Sequence, residues 1–151
     1  MLTNSQQQTA FKVGVGVFNM ALHGNYMQVY ADFLQQGGTE QSIYDVALSL
    51  PWAKTIYPDY LTSQQFAVKL VNNLVSTYAL DNAKTAIVDA VASLLDQGQS
   101  KGTVAKLLSD ALATVSPQDT TWGPAASQYQ NKLKVAEYVA LNIPSASDDA
   151  V

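Results

Sequence analysis

Apolar residues recur at helical spacing along most of this chain, and no stretch alternates apolar and polar residues long enough to predict a strand. Phe11, Val15, Phe18 and Leu22 fall on one stripe of a first helix over residues 4–22, and Val13 and Val17 widen that stripe toward burial on most sides. Gly24 is its expected stop. A second helix over residues 25–36 carries Met27, Tyr30, Phe33 and Leu34 and ends at Gly37 and Gly38, where positive φ costs little. The third begins at Thr39 or Ser42, aligns Ile43, Val46, Ala47 and Leu50, and is closed by Pro51.

Residues 51–61, PWAKTIYPDYL, form an aromatic-rich connection held by Pro51 and Pro58. A fourth helix begins after Thr62, which with Gln65 fits a capping box, and carries Phe66, Leu70, Leu74 and Tyr78. Asp81 is the natural N-cap of a fifth, with Ile87, Ala90, Val91, Leu94 and Leu95 on its face and Gly98 at its end. The sixth starts near Ser100 and presents Val104, Leu107, Leu108 and Ala111, which makes Leu107 an expected core residue. After the loop SPQDTTWG over residues 116–123, Pro124 suits the first turn of a seventh helix carrying Tyr129, Leu133, Ala136 and Ala140, with Val135 and Val139 nearby. Pro144 ends it, and residues 144–151 read as the start of a linker.

One segment occurs twice. LQQGGTEQSIYDVALSL at 34–50 aligns without a gap with LDQGQSKGTVAKLLSDA at 95–111, pairing Leu34 with Leu95, Gly37 with Gly98, Thr39 with Ser100 and Ile43 with Val104. Each copy reads as a helix end, a glycine turn and a helix start. The expected fold is therefore all-α: about seven helices in a compact bundle built from helical hairpins with an internal repeat, forming a single domain over residues 1–143.

Composition changes the picture in three ways. The 151 residues are 48% hydrophobic, enough for one packed core, but only 13% charged, so neutral amides and hydroxyls must cover the surface. All eight basic residues are Lys and the net charge is −4, which argues against a nucleic-acid partner because phosphate neutralisation needs a basic stripe. With no Cys, there are no disulfides, thiolate nucleophiles or cysteine metal sites. The start, MLTNSQQQTAFK, does not read as a secretory signal, and no apolar run approaches the ~18 residues of a membrane span.

The candidate chemistry is thin. Val13-Gly-Val-Gly-Val lacks both the preceding strand and the third glycine of a dinucleotide loop, and its glycines suit close approach of another helix instead. His23 has no second His and no Cys to join it in a metal or triad site. The ten Asp and two Glu are mostly spread one per helix end, as with Asp81, Asp96 and Asp110, and form no calcium loop; Asp148 and Asp149 would need residues beyond the chain end. Neither a metal nor a cofactor is expected in this chain, with calcium expected only in downstream segments. The aromatic residues in loops, Trp52, Tyr57, Tyr60 and Trp122, stand out, because rings beside Lys and amide groups suit a carbohydrate face, although a satellite core under the connection needs them equally well. Pro51 and Pro58 within 51–61 predict rings held at the surface, so the candidate ligand-binding residues are Trp52, Lys54, Tyr57, Asp59 and Tyr60.

FAVKLVNNLV at 66–75, LDQGQSKGTVAKLLSDAL at 95–112 and YQNKLKVAEYVAL at 129–141 resemble the helical repeat of surface-layer and RTX-type secreted proteins of Gram-negative bacteria, over roughly residues 63–141. The resemblance implies type I secretion without an N-terminal signal peptide, an extracellular, cell-surface location, and docking of a lattice or adhesin onto lipopolysaccharide. The resulting expectation is a non-enzymatic anchoring module that binds lipopolysaccharide or another surface polysaccharide, with neighbouring surface-protein subunits as further partners. The alternative is a protein–protein assembly module of a secreted bacterial protein.

Overall fold

The computed structural model describes residues 2–20, 25–75 and 81–142. Gly24, His23, Leu22, Tyr78, Pro144, the expected linker and the Asp148–Asp149 pair lie outside the described residues, as does the Asp81 side chain. The order is α1 (Asn4–Lys12), a π-helical turn (Val13–Val17), α2 (Asn25–Gln35), α3 (Ser42–Ser49), α4 (Ala53–Ile56), α5 (Ser63–Val75), α6 (Asp81–Asp96), α7 (Lys101–Thr114) and α8 (Gly123–Asn142). The fold is all-α, with no strand among the described residues.

The repeat is a structural repeat. Gly37 and Gly98 both hold left-handed φ, at 93° and 95°. Gly38 N–H donates to Phe33 O and Gln99 N–H to Leu94 O, so both helix ends close with the same six-residue hydrogen-bonded turn that only a left-handed residue permits. Each next helix then starts on a hydroxyl: Thr39 Oγ1 accepts from Ser42 N–H and Ser100 Oγ from Thr103 N–H, both at 3.0 Å. Thr62 and Gln65 do make the reciprocal capping pair at the start of α5, and Thr3 with Gln6 makes another at α1.

The two copies pack on each other through α3 and α7. At Gly102 the helices approach closely: a Cβ there would lie 2.5 Å from the Asp45 backbone nitrogen. That contact turns α7 so that Gly102, Val104, Ala105, Ser109 and Leu112 face inward. Leu107, expected in the core, is 55% exposed. α7 has apolar residues on most of its circumference, so spacing alone did not select the buried side, and close approach at the glycine did.

The expected continuous helix over 4–22 is also different. After Lys12 the backbone widens into the π turn, whose five residues, VGVGV, are all buried. A Cβ on Gly16 would stand 2.7 Å from Ser109 Oγ and 3.1 Å from the Tyr129 hydroxyl, so the glycine admits side chains of α7 and α8 against the turn, as the sequence suggested. The carbonyl of Val17, the last residue of the π turn, accepts from the Tyr57 hydroxyl at 2.5 Å and from Asn73 Nδ2 at 3.2 Å. Around this turn lie the fully buried Phe11, Tyr44, Phe66, Leu70, Val71, Val104 and Tyr129. Tyr44 and Tyr129 bring their hydroxyls near Ser109 without a well-formed bond, and burial pushes both phenols well above the ordinary tyrosine range, with the Ser109 hydroxyl pulling the other way.

Candidate functional site

The connection 51–61 is not an open loop. Its first half coils into α4, because Pro51 suits a first turn and Lys54, Thr55 and Tyr57 donate backbone hydrogens to Leu50, Trp52 and Ala53. This short helix turns Tyr57 inward: its ring lies 5.2 Å from Phe66 and 6.2 Å from Phe18, and the residue is 2% exposed. The half-buried Trp52 ring packs 4.6 Å from Phe18. The expectation that Pro51 and Pro58 hold both rings at the surface is therefore corrected, since packing against Phe18 and Phe66 takes apolar ring surface out of water. Tyr60 alone behaves as expected, at 83% exposure.

The structure does bring Lys54, Tyr57 and Asp59 to one pocket of about 210 Å³, together with Asp45, Leu48, Ser49 and Lys101. Lys54 is bonded to Asp59. That bond holds the Asp59 carboxyl below the usual carboxylate range, with the Lys101 ammonium adding to the effect. Lys101 extends over the Phe66 ring, 5.2 Å from its centroid, and lines the same pocket. On the same rim Asp45 accepts from Gly102 N–H at 2.8 Å and from the Ser100 hydroxyl at 3.1 Å, using one carboxylate to cap α7.

The pocket is thus lined by two ammonium groups and two carboxylates, so its formal charge balances. The arrangement can donate and accept hydrogen bonds at several fixed points without favouring a strongly charged ligand. Neither Trp52 nor Tyr60 lines it, though the exposed Tyr60 follows Asp59 directly in the chain. Asp45, Ser49 and Lys101 were not singled out in the sequence. Their signal was the repeat: Asp45 belongs to the first copy and Lys101 to the second, and they meet because the copies pack on each other.

Asp110, expected near a helix end, instead lies within α7 and bridges Lys12 at 3.3 Å and Lys106 at 2.6 Å. Burial pushes its carboxyl up, but the two ammonium groups prevail and hold it below the usual range. Among the described residues no group of three or more His, Cys, Asp or Glu could hold a metal ion, and no helix is long and apolar enough to cross a membrane.

Against protein-family models, curated proteins and solved structures, the chain matches none.

Proposed function

We propose that this chain is a non-catalytic anchoring module that binds lipopolysaccharide or another cell-surface polysaccharide at the pocket between α3, α4 and the start of α7. The observation that carries this reading is the charge-balanced rim of Asp45, Lys54, Asp59 and Lys101, with the exposed Tyr60 next to Asp59 in the chain. Sugar hydroxyls both donate and accept, so paired ammonium and carboxylate groups serve them, while an exposed ring suits the apolar C–H face of a pyranose. Asp45 is held by its bonds to Gly102 N–H and the Ser100 hydroxyl, and Lys54 by its bond to Asp59, so part of the rim is ordered before binding. The resemblance over residues 63–141 to helical regions of Gram-negative surface-layer and RTX-type proteins supports the same reading, and with it an extracellular location.

The test is binding of the purified chain to lipopolysaccharide with long polysaccharide and to lipopolysaccharide lacking it. Preference for the long form, weakened about tenfold by Tyr60→Ala with Asp59→Ala at unchanged melting temperature, supports the reading. Equal binding to both forms refutes it.

A second reading, a protein–protein assembly module, is favoured by one observation. A cleft of about 210 Å³ between α5, α6 and α7 is lined by apolar residues, including Leu74, Ile87, Leu108, Leu112 and Trp122, close in the chain to the exposed Leu107. Self-association at micromolar concentration that persists in high salt would replace the anchoring reading with this one.

A further inference from the structure

A further concavity, twice the volume of the charge-balanced pocket, lies between the π turn and α8. It measures about 420 Å³ and is bounded by Val15, Asn19 and Met20 on one side and by Gln128, Asn131, Lys132, Val135 and Ala136 of α8 on the other. Its shape follows from the backbone. Met20 N–H donates to Gly14 O, and Asn19 takes a left-handed φ of 55°, which places Asn19 and Met20 on the wall facing α8. Lys132 Nζ donates to Asn19 Oδ1 at 2.8 Å across the trough and fixes both its walls.

The lining has a definite chemistry. Buried Val15 and Ala136 contribute an apolar floor, whereas Asn19, Gln128, Asn131 and Lys132 form the rim. Among the described residues no carboxylate lines the trough, and the one ammonium there is bonded to Asn19, so neither a metal ion nor a polyanion is matched by them. Gln128 and Asn131 stand one turn apart on the same face of α8, and their side-chain amides have no partner among the described residues. Each offers a donor and an acceptor from one rigid group. An apolar floor beneath paired amides fits a neutral, polyhydroxylated ring, whose C–H face meets the floor while adjacent hydroxyls bond the amides.

We infer that the trough between the π turn and α8 is a second saccharide subsite, with Gln128 and Asn131 as its hydrogen-bonding residues. This inference rests on the reading of the chain as a polysaccharide binder and extends it to a second contact, through which one polymer could be held at two points on one rigid domain. Two contacts on one polymer raise its affinity far above that of either alone, whereas a short fragment gains nothing.

The experiment is an NMR titration of the full chain, following side-chain amide and backbone signals, with lipid-free polysaccharide released from lipopolysaccharide by mild acid, with dextran, and with a flexible Gly/Ser/Asn peptide. The Gln128→Ala/Asn131→Ala double variant is measured in parallel. The expected result is saturable shifts at Gln128, Asn131 and Met20 with the released polysaccharide, and at least about fivefold weaker binding of the double variant with its spectrum otherwise intact. Shifts confined to Asp45, Asp59 and Lys101 overturn the second subsite while leaving the anchoring reading in place. No shifts with either glycan overturn both. Shifts at the trough with the peptide alone overturn the saccharide assignment and make it a peptide groove.

Discussion

The Asp45 carboxylate of the first repeat copy accepts a 2.8 Å hydrogen bond from Gly102 N–H, at the start of the second copy's helix. One residue thereby joins the two halves of the repeat, caps α7 against its exposed amides and places an acid on the rim of the candidate pocket. The glycine is required because a Cβ would stand 2.3 Å from Asp45 Oδ1 and 2.5 Å from the Asp45 nitrogen, and backbone cannot yield as a flexible side chain can.

Gly102→Ala is therefore expected to destabilise the domain by about 1–3 kcal/mol through overpacking, and Asp45→Ala by about 1 kcal/mol through loss of the cap. Urea unfolding monitored by circular dichroism measures both. Because the two residues are in contact, the double variant should cost less than the sum. Full additivity would show that the contact does not join the copies energetically.

At Gly37 and Gly98 the cost has a different origin. Nothing lies within 4 Å of a Cβ at either position, so Gly→Ala there carries only the left-handed backbone penalty, about 1 kcal/mol each. The two values should agree closely, since φ is 93° and 95° and the turns close alike. A stability gain at either site would mean that the glycine does not hold positive φ in solution.

Leu107 and Leu70 provide the contrast between a solvent-facing and a buried leucine. Leu70 is fully buried and Leu107 is 55% exposed. Leu70→Ala should cost about 2–5 kcal/mol and Leu107→Ala less than about 0.5 kcal/mol. Equal losses would place α7 in a different rotation from the one described.

Tyr57 should act as a core residue. Tyr57→Phe leaves the Val17 carbonyl with Asn73 alone and should cost about 1 kcal/mol, while Tyr57→Ala, which also empties the space against Phe66, should cost about 3–5 kcal/mol. A Tyr57→Ala protein with an unchanged melting temperature and weakened glycan binding would restore the ring to the surface.

Alkaline pH tests the buried phenols together. Burial pushes Tyr57 and Tyr30 up to about 12, with the Asn73 amide opposing it at Tyr57, and Tyr44 and Tyr129 still higher. For an acid whose folded pKa is raised, the native state keeps its proton longer than the unfolded chain does. The contribution to stability is whole below the unfolded value of about 10 and is lost as pH rises toward the folded value, at about 1.4 kcal/mol per pH unit for Tyr57. Unfolding followed by circular dichroism should therefore advance steeply above pH of about 10, and phenolate absorbance from these tyrosines should appear with unfolding and not before it. Phenolate formation from all tyrosines in the native state would contradict the buried arrangement.

The sequence by itself determined the helical class, both glycine turns and the Thr62–Gln65 cap, because these depend on spacing and on local backbone chemistry within a few residues. It also anticipated that glycines in VGVGV admit a neighbouring helix, which Gly16 does for Ser109 and Tyr129. Only the tertiary structure decided the buried face of α7, the widening of the first helix into a π turn, the inward rotation of Tyr57 and the meeting of Asp45 with Lys101 in one pocket. Apolar residues surround α7 on most sides, so its periodicity admits several rotations of similar hydrophobic gain, and the packing of Gly102 against Asp45 selects one. Tyr57 lay in a segment whose prolines restrict its own backbone but carry no information about Phe66 on the next helix or the distant Phe18, against which its ring packs. Local chemistry sets where a helix begins and ends, and shape complementarity between distant segments sets which way it faces.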